Sequence, residues 1–352
     1  MLVTGFSIVL CTFNGSGRLR ETLFHLAALF IPVEVSIEII LVDNASTDGT
    51  AEFAKNVWEE LGGAFPLQIL RESRAGKGYA VETGYDAAIF SHILTVDDDN
   101  WLDSKYLLNA AALFANHHDI GVLQGHSEGV FESPPPAWIE QYYQYFIIGS
   151  PIKKTGYFPA NNFFVWGAGM IIKREDWQHL RAFGFAFLTS KLPGKAAGED
   201  NELALALLIL GRKIYYSDQL RYQHFMPTDR IKWNRLRSNF ETFGYVSHYF
   251  FLYALVIDAY EKKYTITNLT LIEKLSQLKP TLSNFSWKQH VCYLLKPMVE
   301  WYQLELTRHY SRYKWFVKLR SSSKRDIMII QSWMIPLLNR YPSNFTWPTR
   351  MF

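Results

Sequence analysis

Through the first half of the chain, short β-rich apolar runs alternate with stretches of helical periodicity. This predicts an α/β domain built on a mostly parallel sheet with helices packed on its faces. Residues 7–12 (SIVLCT), 38–42 (EIILV), 66–70 and 93–96 (ILTV) read as the first four strands. Helices are expected over 18–29, 50–61, 78–90 and 105–115, the second of them capped by Ser46, Thr47 or Asp48. Further on, 120–125 has a strand pattern, and 133–136 (SPPP) breaks regular structure ahead of an aromatic stretch over 138–146. Residues 163–173 read as a strand interrupted by Trp166-Gly167-Ala168-Gly169, 199–210 as an apolar and therefore buried helix, and 213–216 as a late strand. Beyond His224 the strand patterns give way to amphipathic helices rich in Tyr, Trp, Lys and Arg. Two domains are therefore expected, over 1–224 and 225–352.

Charge sharpens that division. The net charge of +3 hides an asymmetry: residues 225–352 carry 19 Lys and Arg against 8 Asp and Glu, whereas 1–224 carry 17 against 25. A basic, aromatic tail suits an anionic membrane surface or an anionic acceptor. No nucleic-acid-binding motif accompanies the charge, so no nucleic-acid partner is expected. Two cysteines, Cys11 in a buried strand pattern and Cys292, argue against a disulfide framework and fit a reducing compartment. The N-terminus lacks the pattern of a secretory signal. The most apolar late stretch, 246–257, has 12 residues, against about 20 for a bilayer-spanning helix. The expected location is cytoplasmic, with peripheral contact at the inner face of the membrane through 225–352. On that reading the sequons at Asn44, Asn268, Asn284 and Asn344 go unused.

Candidate chemistry collects at strand ends. Ligands of open α/β sheets bind beyond the carboxyl ends of the strands, and here Asn14, Asp43, Arg74 with Lys77, and Asp97 to Asp99 follow the first four in turn. The segment Asp97-Asp98-Asp99-Asn100 places three carboxylates side by side, with no cation close in sequence. A hard divalent cation, Mg²⁺ or Mn²⁺, would resolve their repulsion, since such ions take one or two carboxylates plus substrate phosphate oxygens. In extended backbone Asp97 and Asp99 point to one side; the plainer alternative is that the trio caps the next helix. Asp43 can accept hydrogen bonds from a base or ribose, a role that helix capping does not explain. Arg71 to Gly78 (RESRAGKG) leads basic residues and glycines into a helix N-terminus, which suits phosphate, but it is not a P-loop. Gly198-Glu199-Asp200 sets two acids at the amino end of the apolar helix. This is favourable in any helix, and it also offers a general base. His224 can serve as a metal ligand or a diphosphate contact.

These motifs, in this order, resemble the inverting family 2 glycosyltransferases with the GT-A fold. The matching residues are 7–14 (SIVLCTFN), 43–50 (DNASTDGT), 76–84 (GKGYAVETG), 97–100 (DDDN), 166–169 (WGAG) and 198–200 (GED), spread over about 5–224. The resemblance implies a Rossmann-like GT-A domain, with the helical region beyond it. It places Thr12, Asn14 and Asp43 at the nucleoside, Arg74 and Lys77 by the nucleotide, Asp97 on the ribose side and Asp99 at the metal; with the residue reading above, Asp98 joins the nucleotide-sugar contacts, and Asp97 and His224 are further candidates at the metal. Trp166, Gly167, Ala168 and Gly169 would line the sugar and acceptor cleft, and Asp200 would be the base, with Glu199 a second candidate. Asn100 stands where many members carry another acid.

The expected activity is transfer of a sugar from a nucleoside-diphosphate donor, UDP-linked by preference, to a hydroxyl of a glycan or lipid-linked acceptor. Two rivals share the features: a nucleotidyltransferase that makes nucleotide sugars, and a nucleotide- or glycan-binding protein without activity. The opening Thr12-Phe13-Asn14 differs from the glycine-rich basic loop of the first. The paired acids at 199–200 exceed what the second needs.

Overall fold

The computed structural model describes residues 3–159, 162–191, 197–263, 265, 304, 307–308, 311 and 323–341. Cys292 and the sequons at Asn268, Asn284 and Asn344 lie outside the described residues, as does much of the basic tail. The chain divides into two compact units, one of residues 1–231 with 337–351 and one of 232–336 with 352.

The first unit opens with β1 (Gly5–Thr12), α1 (Leu19–Ala27), β2 (Ser36–Asn44), α2 (Thr50–Glu60), β3 (Leu67–Glu72), α3 (Lys77–Ala87) and β4 (His92–Asp97). The short β5 (Asn100–Leu102), α4 (Tyr106–Asn116), β6 (Ile120–Phe131) and a 3₁₀ helix over Ala137–Phe146 follow. Then come β7 (Gly156–Tyr157), β8 (Ile171–Lys173), α5 (Arg174–Ala182), α6 (Glu199–Ile209) and β9 (Lys213–Met226). The sheet order is β3-β2-β1-β4-β8-β6-β9-β5, with β7 on β9. Strands β1 to β4 are parallel, and β8 turns the direction between β4 and β6.

Strands β1, β2 and β4 were legible because both faces of a parallel sheet are covered there, so alternation largely disappears and the run is mainly apolar, whereas the edge strand β3 is only partly buried. Every residue of β1 is buried. On one face Ile8, Leu10, Ile39, Leu41, Leu94 and Val96 pack against Leu19, Leu23 and Leu26 of α1 and Ala54, Val57 and Trp58 of α2. On the other face α3 lies unusually close: a Cβ on Gly84 would stand 2.3 Å from a Val9 methyl. Even one added carbon overpacks that contact, at about 1–3 kcal/mol.

Four elements, β8, β6, β9 and α5, differ from the sequence expectation. The strand expected over 163–173 shrinks to β8, because Gly169 adopts a left-handed φ of 68° and the residues before it bond to side chains instead of a ladder. Strands β6 and β9 run well past the expected 125 and 216, since they pair in parallel to Phe131 and Met226 across two register shifts. Helix α5 went unmarked because its sequence REDWQHLRA turns only Asp176, Trp177 and Leu180 inward.

In the second unit α7 spans Trp233–Glu261. Tyr253 packs against Trp333 at a ring separation of 6.1 Å, and Ser311 Oγ donates to the Glu241 carbonyl at 2.7 Å. No helix among the described residues is long and apolar enough to cross a membrane.

Candidate active site

Sheet register brings the strand ends level. Thr12 pairs with Asp43, Asp43 with Arg71, and Cys11 with Asp97, so β1, β2, β3 and β4 end on one rim. The loops above that rim are laced by side chains. Asn14 Oδ1 accepts the Thr47 N–H at 2.9 Å and Ser46 Oγ accepts the Asn14 N–H at 2.9 Å. Asp48 accepts the N–H of Thr50 at 3.1 Å and that of Ser16 at 3.2 Å, so the cluster expected only to cap α2 also ties its loop to the one after β1. Asp43 Oδ1 accepts the Ser46 N–H at 3.0 Å. Asn44 accepts the Gly76 N–H and donates to the Arg74 carbonyl, at 2.9 and 2.8 Å; its amide is committed to the fold. The Arg74 guanidinium pairs with Glu72 at 2.7 Å and lies over the Tyr79 ring at 4.4 Å.

The acidic triplet is not left uncompensated, as its sequence neighbourhood suggests. The fold supplies one cation to each member, from a different part of the chain. Asp97 Oδ1 meets Lys77 Nζ, at the start of α3, at 2.7 Å. Asp98 takes Arg18 through two guanidinium nitrogens at 2.8 and 3.1 Å and the Thr12 hydroxyl at 2.7 Å. Asp99 takes Arg230, just past β9, at 2.6 Å, with His224 Nε2 3.6 Å from its other oxygen. Asp98 and Thr12, both expected at the donor, are thus engaged with each other. His224 reaches Asp99 because Asn100 of β5 pairs with His224 of β9, and the Phe225 N–H donates to the Asp99 carbonyl at 2.9 Å. Burial works against charge on Asp99, but the cations around it, Arg230 first and then Lys77 and Arg18, outweigh it and hold the carboxyl below its ordinary range.

Across from the triplet stands the amino end of α6. Glu199 is buried, accepts the Ser190 hydroxyl and lies 3.4 Å from Lys77 Nζ. Asp200 is only half-buried; its Oδ2 accepts the Gly167 N–H at 2.9 Å and its Oδ1 the Asn201 N–H at 2.8 Å. Burial first, then the neighbouring Glu199 charge, push the Asp200 carboxyl up to about 7, against the pull of Lys77 and the Asn201 hydrogen bonds. Lys77 itself is held well above its ordinary range, because Asp97, Glu199 and Asp200 outweigh its burial.

Trp166 to Gly169 is fastened from several sides. Gln124 of β6 accepts the Trp166 N–H at 2.8 Å and donates to its carbonyl. Asn201 accepts the Val165 N–H at 3.1 Å, and the Tyr106 hydroxyl donates to the Gly169 carbonyl at 2.6 Å. The buried Ala168 joins the main core. Sequence reading missed Arg18, Gln124, Ser190, Asn201 and Arg230. Arg18 stood at an expected helix start, but the others are ordinary polar residues whose partners lie far away in sequence.

A mostly parallel sheet whose strand ends gather carboxylates, faced by a second acidic pair on an apolar helix, defines an α/β domain with an acidic site beyond its strand ends, where such sheets bind ligands. Residues 7–180 match the sequence model of Glycosyl transferase family 2, and through this domain the chain belongs to that family. It is 27% identical over 113 residues to the poly(ribitol-phosphate) beta-N-acetylglucosaminyltransferase TarS of Staphylococcus aureus, a match covering 32% of this chain. The match spans only 19% of that relative's length. Among solved structures, the mannosyltransferase PcManGT from Pyrobaculum calidifontis, in complex with GDP-Man and Mn²⁺, aligns with a TM-score of 0.57 at 15% identity, over 90% of this chain and 88% of that one. S. aureus TarS 1–349 in complex with UDP-GlcNAc aligns with a TM-score of 0.50 at 17% identity, over 97% and 93%. The fold is of the GT-A type.

Proposed function

We propose that the chain is an inverting, metal-dependent glycosyltransferase that moves a sugar from a nucleoside-diphosphate donor to an acceptor hydroxyl. The observation that carries this reading is Asp200: a carboxylate in the cleft, oriented by the Gly167 N–H and pushed up to about 7, where a general base works best at neutral pH. Family membership supports the reaction class. The curated relative's name suggests a UDP-linked N-acetylhexosamine as the first donor to test and an envelope polymer as the first acceptor.

The residues fit a divalent cation, Mn²⁺ or Mg²⁺. Five carboxylates, Asp97, Asp98, Asp99, Glu199 and Asp200, meet three cations, Lys77, Arg18 and Arg230, and leave a negative excess. Among the described residues no three His, Cys, Asp or Glu converge to cage an ion. Asp99 and His224 would instead hold it from one side, with Asp97 nearby and donor phosphate oxygens completing the shell. When bound, the ion supplies Lewis-acid stabilisation of the departing nucleoside diphosphate.

The chain's own residues do the rest. Asp43 and the laced loop around Asn14 bound the nucleoside; Lys77 carries positive charge between the donor side and the base; Trp166 to Gly169 wall the sugar. Asp200 accepts the proton of the attacking hydroxyl on the face opposite the leaving group, which inverts the anomeric centre. The basic region over 225–352 would meet a lipid-linked acceptor at a membrane surface or cap the cleft.

The test is product analysis with a panel of nucleotide sugars, Mn²⁺ and candidate acceptors. Free nucleoside diphosphate together with an inverted glycoside is expected. Pyrophosphate release would indicate a nucleotidyltransferase, and donor binding with no turnover on any acceptor would indicate a binding protein.

A further inference from the structure

Arg230 occupies a place that its chemistry makes unusual. Its Nη1 lies 2.6 Å from Asp99 Oδ2 and 3.2 Å from His224 Nε2. A guanidinium only donates hydrogen bonds, so the lone pair of His224 Nε2 must be directed at it. Two acceptors, a carboxylate oxygen and an imidazole nitrogen, therefore converge on one cationic nitrogen, and this is a donor pair that also takes divalent metal. Asp99 is nearly closed off, with its side chain 3% exposed, and the His224 side chain is 8% exposed. Arg230 is different. Its side chain is 35% exposed, and its backbone N–H is tied into a turn on the Pro227 carbonyl at 2.8 Å, so the guanidinium can leave without opening the core.

We infer that Arg230 is an internal stand-in for the metal: it holds Asp99 and His224 in position and must be displaced before a divalent cation can take them. The inference rests on the reading of this site as metal-dependent. It has a definite consequence. Metal alone binds weakly, because it must expel a well-paired guanidinium. A nucleoside diphosphate tightens metal binding in two ways, by offering phosphate oxygens to the ion and by giving the released Arg230 an anion to pair with. Coupling of this kind is reciprocal, so metal tightens nucleotide by the same factor.

The experiment is titration of the full chain with Mn²⁺, free ion being measured by electron paramagnetic resonance, with and without UDP. Wild type is compared with Arg230→Met, Arg230→Lys and Asp99→Asn. Arg230→Met is expected to bind Mn²⁺ alone about tenfold tighter than wild type, and UDP to improve its affinity by a smaller factor. Its melting temperature, lowered without metal because Asp99 is left unpaired, should recover on adding Mn²⁺ by more than wild type gains. Arg230→Lys, whose shorter side chain brings its charge less far toward the two acceptors, should fall between; if the Met variant fails to fold, this comparison decides. Asp99→Asn should lose Mn²⁺ binding. Unchanged or weaker Mn²⁺ affinity in both Arg230 variants overturns the inference while leaving the metal reading intact. Absence of Mn²⁺ binding by wild type and all variants, even with UDP, overturns both.

Discussion

The backbone N–H of Gly167 and Oδ2 of Asp200 are joined at 2.9 Å, so the 166–169 segment and the carboxylate that heads α6 cannot move independently. The proposed base is therefore registered to the segment proposed to line the sugar. That registry makes the behaviour of Asp200 predictable.

Asp200 works as a base only when ionised, and its carboxyl is pushed up to about 7. The pH profile of kcat/KM should rise through that region and fall about tenfold per unit below it. Asp200→Asn should lower kcat by on the order of 10³, with UDP affinity retained in calorimetry. The same shift affects stability. Between the ordinary carboxylate range and about 7 the folded state holds a proton that the unfolded state has lost, so wild type loses stability as pH rises through this window. Asp200→Asn lacks that loss, and its melting temperature should gain on wild type from pH 5 to pH 8. Near-normal turnover by the Asn variant would remove Asp200 from the mechanism.

Glu199 is held by Ser190 and Lys77 and acts on its neighbour through charge. Glu199→Gln removes a negative charge that raises the Asp200 carboxyl, so the acid limb of the profile should move to lower pH while a limb remains. Stopped-flow or coupled-assay profiles would show this. Loss of the limb altogether would make Glu199 the base.

Asp98 belongs to the frame of the site. Its side chain is 10% exposed, against 31% for Arg18, and removing one partner of such a pair leaves a half-buried charge uncompensated. Asp98→Asn should cost about 3 kcal/mol or somewhat less, at or below the low end for a broken buried pair because Arg18 is partly wetted, read from urea unfolding. UDP affinity at low temperature should change only slightly. A stable variant with abolished nucleotide binding would place Asp98 on the donor.

Gly169 combines a φ of 68° with no room: a Cβ there would stand 2.6 Å from the Tyr106 hydroxyl and 3.1 Å from the Tyr222 ring. Gly169→Ala should destabilise by about 2 kcal/mol or more. Kinetics should show a lower kcat, because Trp166 and Gly167 lose their anchorage. Unaltered stability would mean that Tyr106 can yield freely.

Much of this architecture could be read from the sequence. The strands β1, β2 and β4 announce themselves because both faces of each are covered, and Asp43, Asp97 and Asp200 stand at element ends where a ligand-binding sheet puts its chemistry. Pairing was illegible. Nothing beside Asp97, Asp98 or Asp99 names Lys77, Arg18 or Arg230 as its partner, since contacts over such separations are set by sheet order. Gln124 looked like an ordinary strand residue because its job, clamping Trp166 at both backbone groups, exists only once β6 and the 166–169 loop are adjacent. The extent of β9 was hidden for a similar reason: Ser217, Asp218 and Gln219 resemble a turn and fall in the register shift between Tyr216 and Arg221, and only the pairing with β6 that resumes at Arg221 carries the strand on to Met226.

The three ion pairs under the rim have partly or largely buried members, whereas the Arg74 guanidinium stands 60% exposed. Dissolved ions screen the second kind of charge over a Debye length of about 8 Å at physiological strength but penetrate poorly to the first. The electric field that a donor would experience on the proposed function is thus set largely by the protein interior, and changing the background electrolyte should alter how fast nucleotide arrives much more than how it is held.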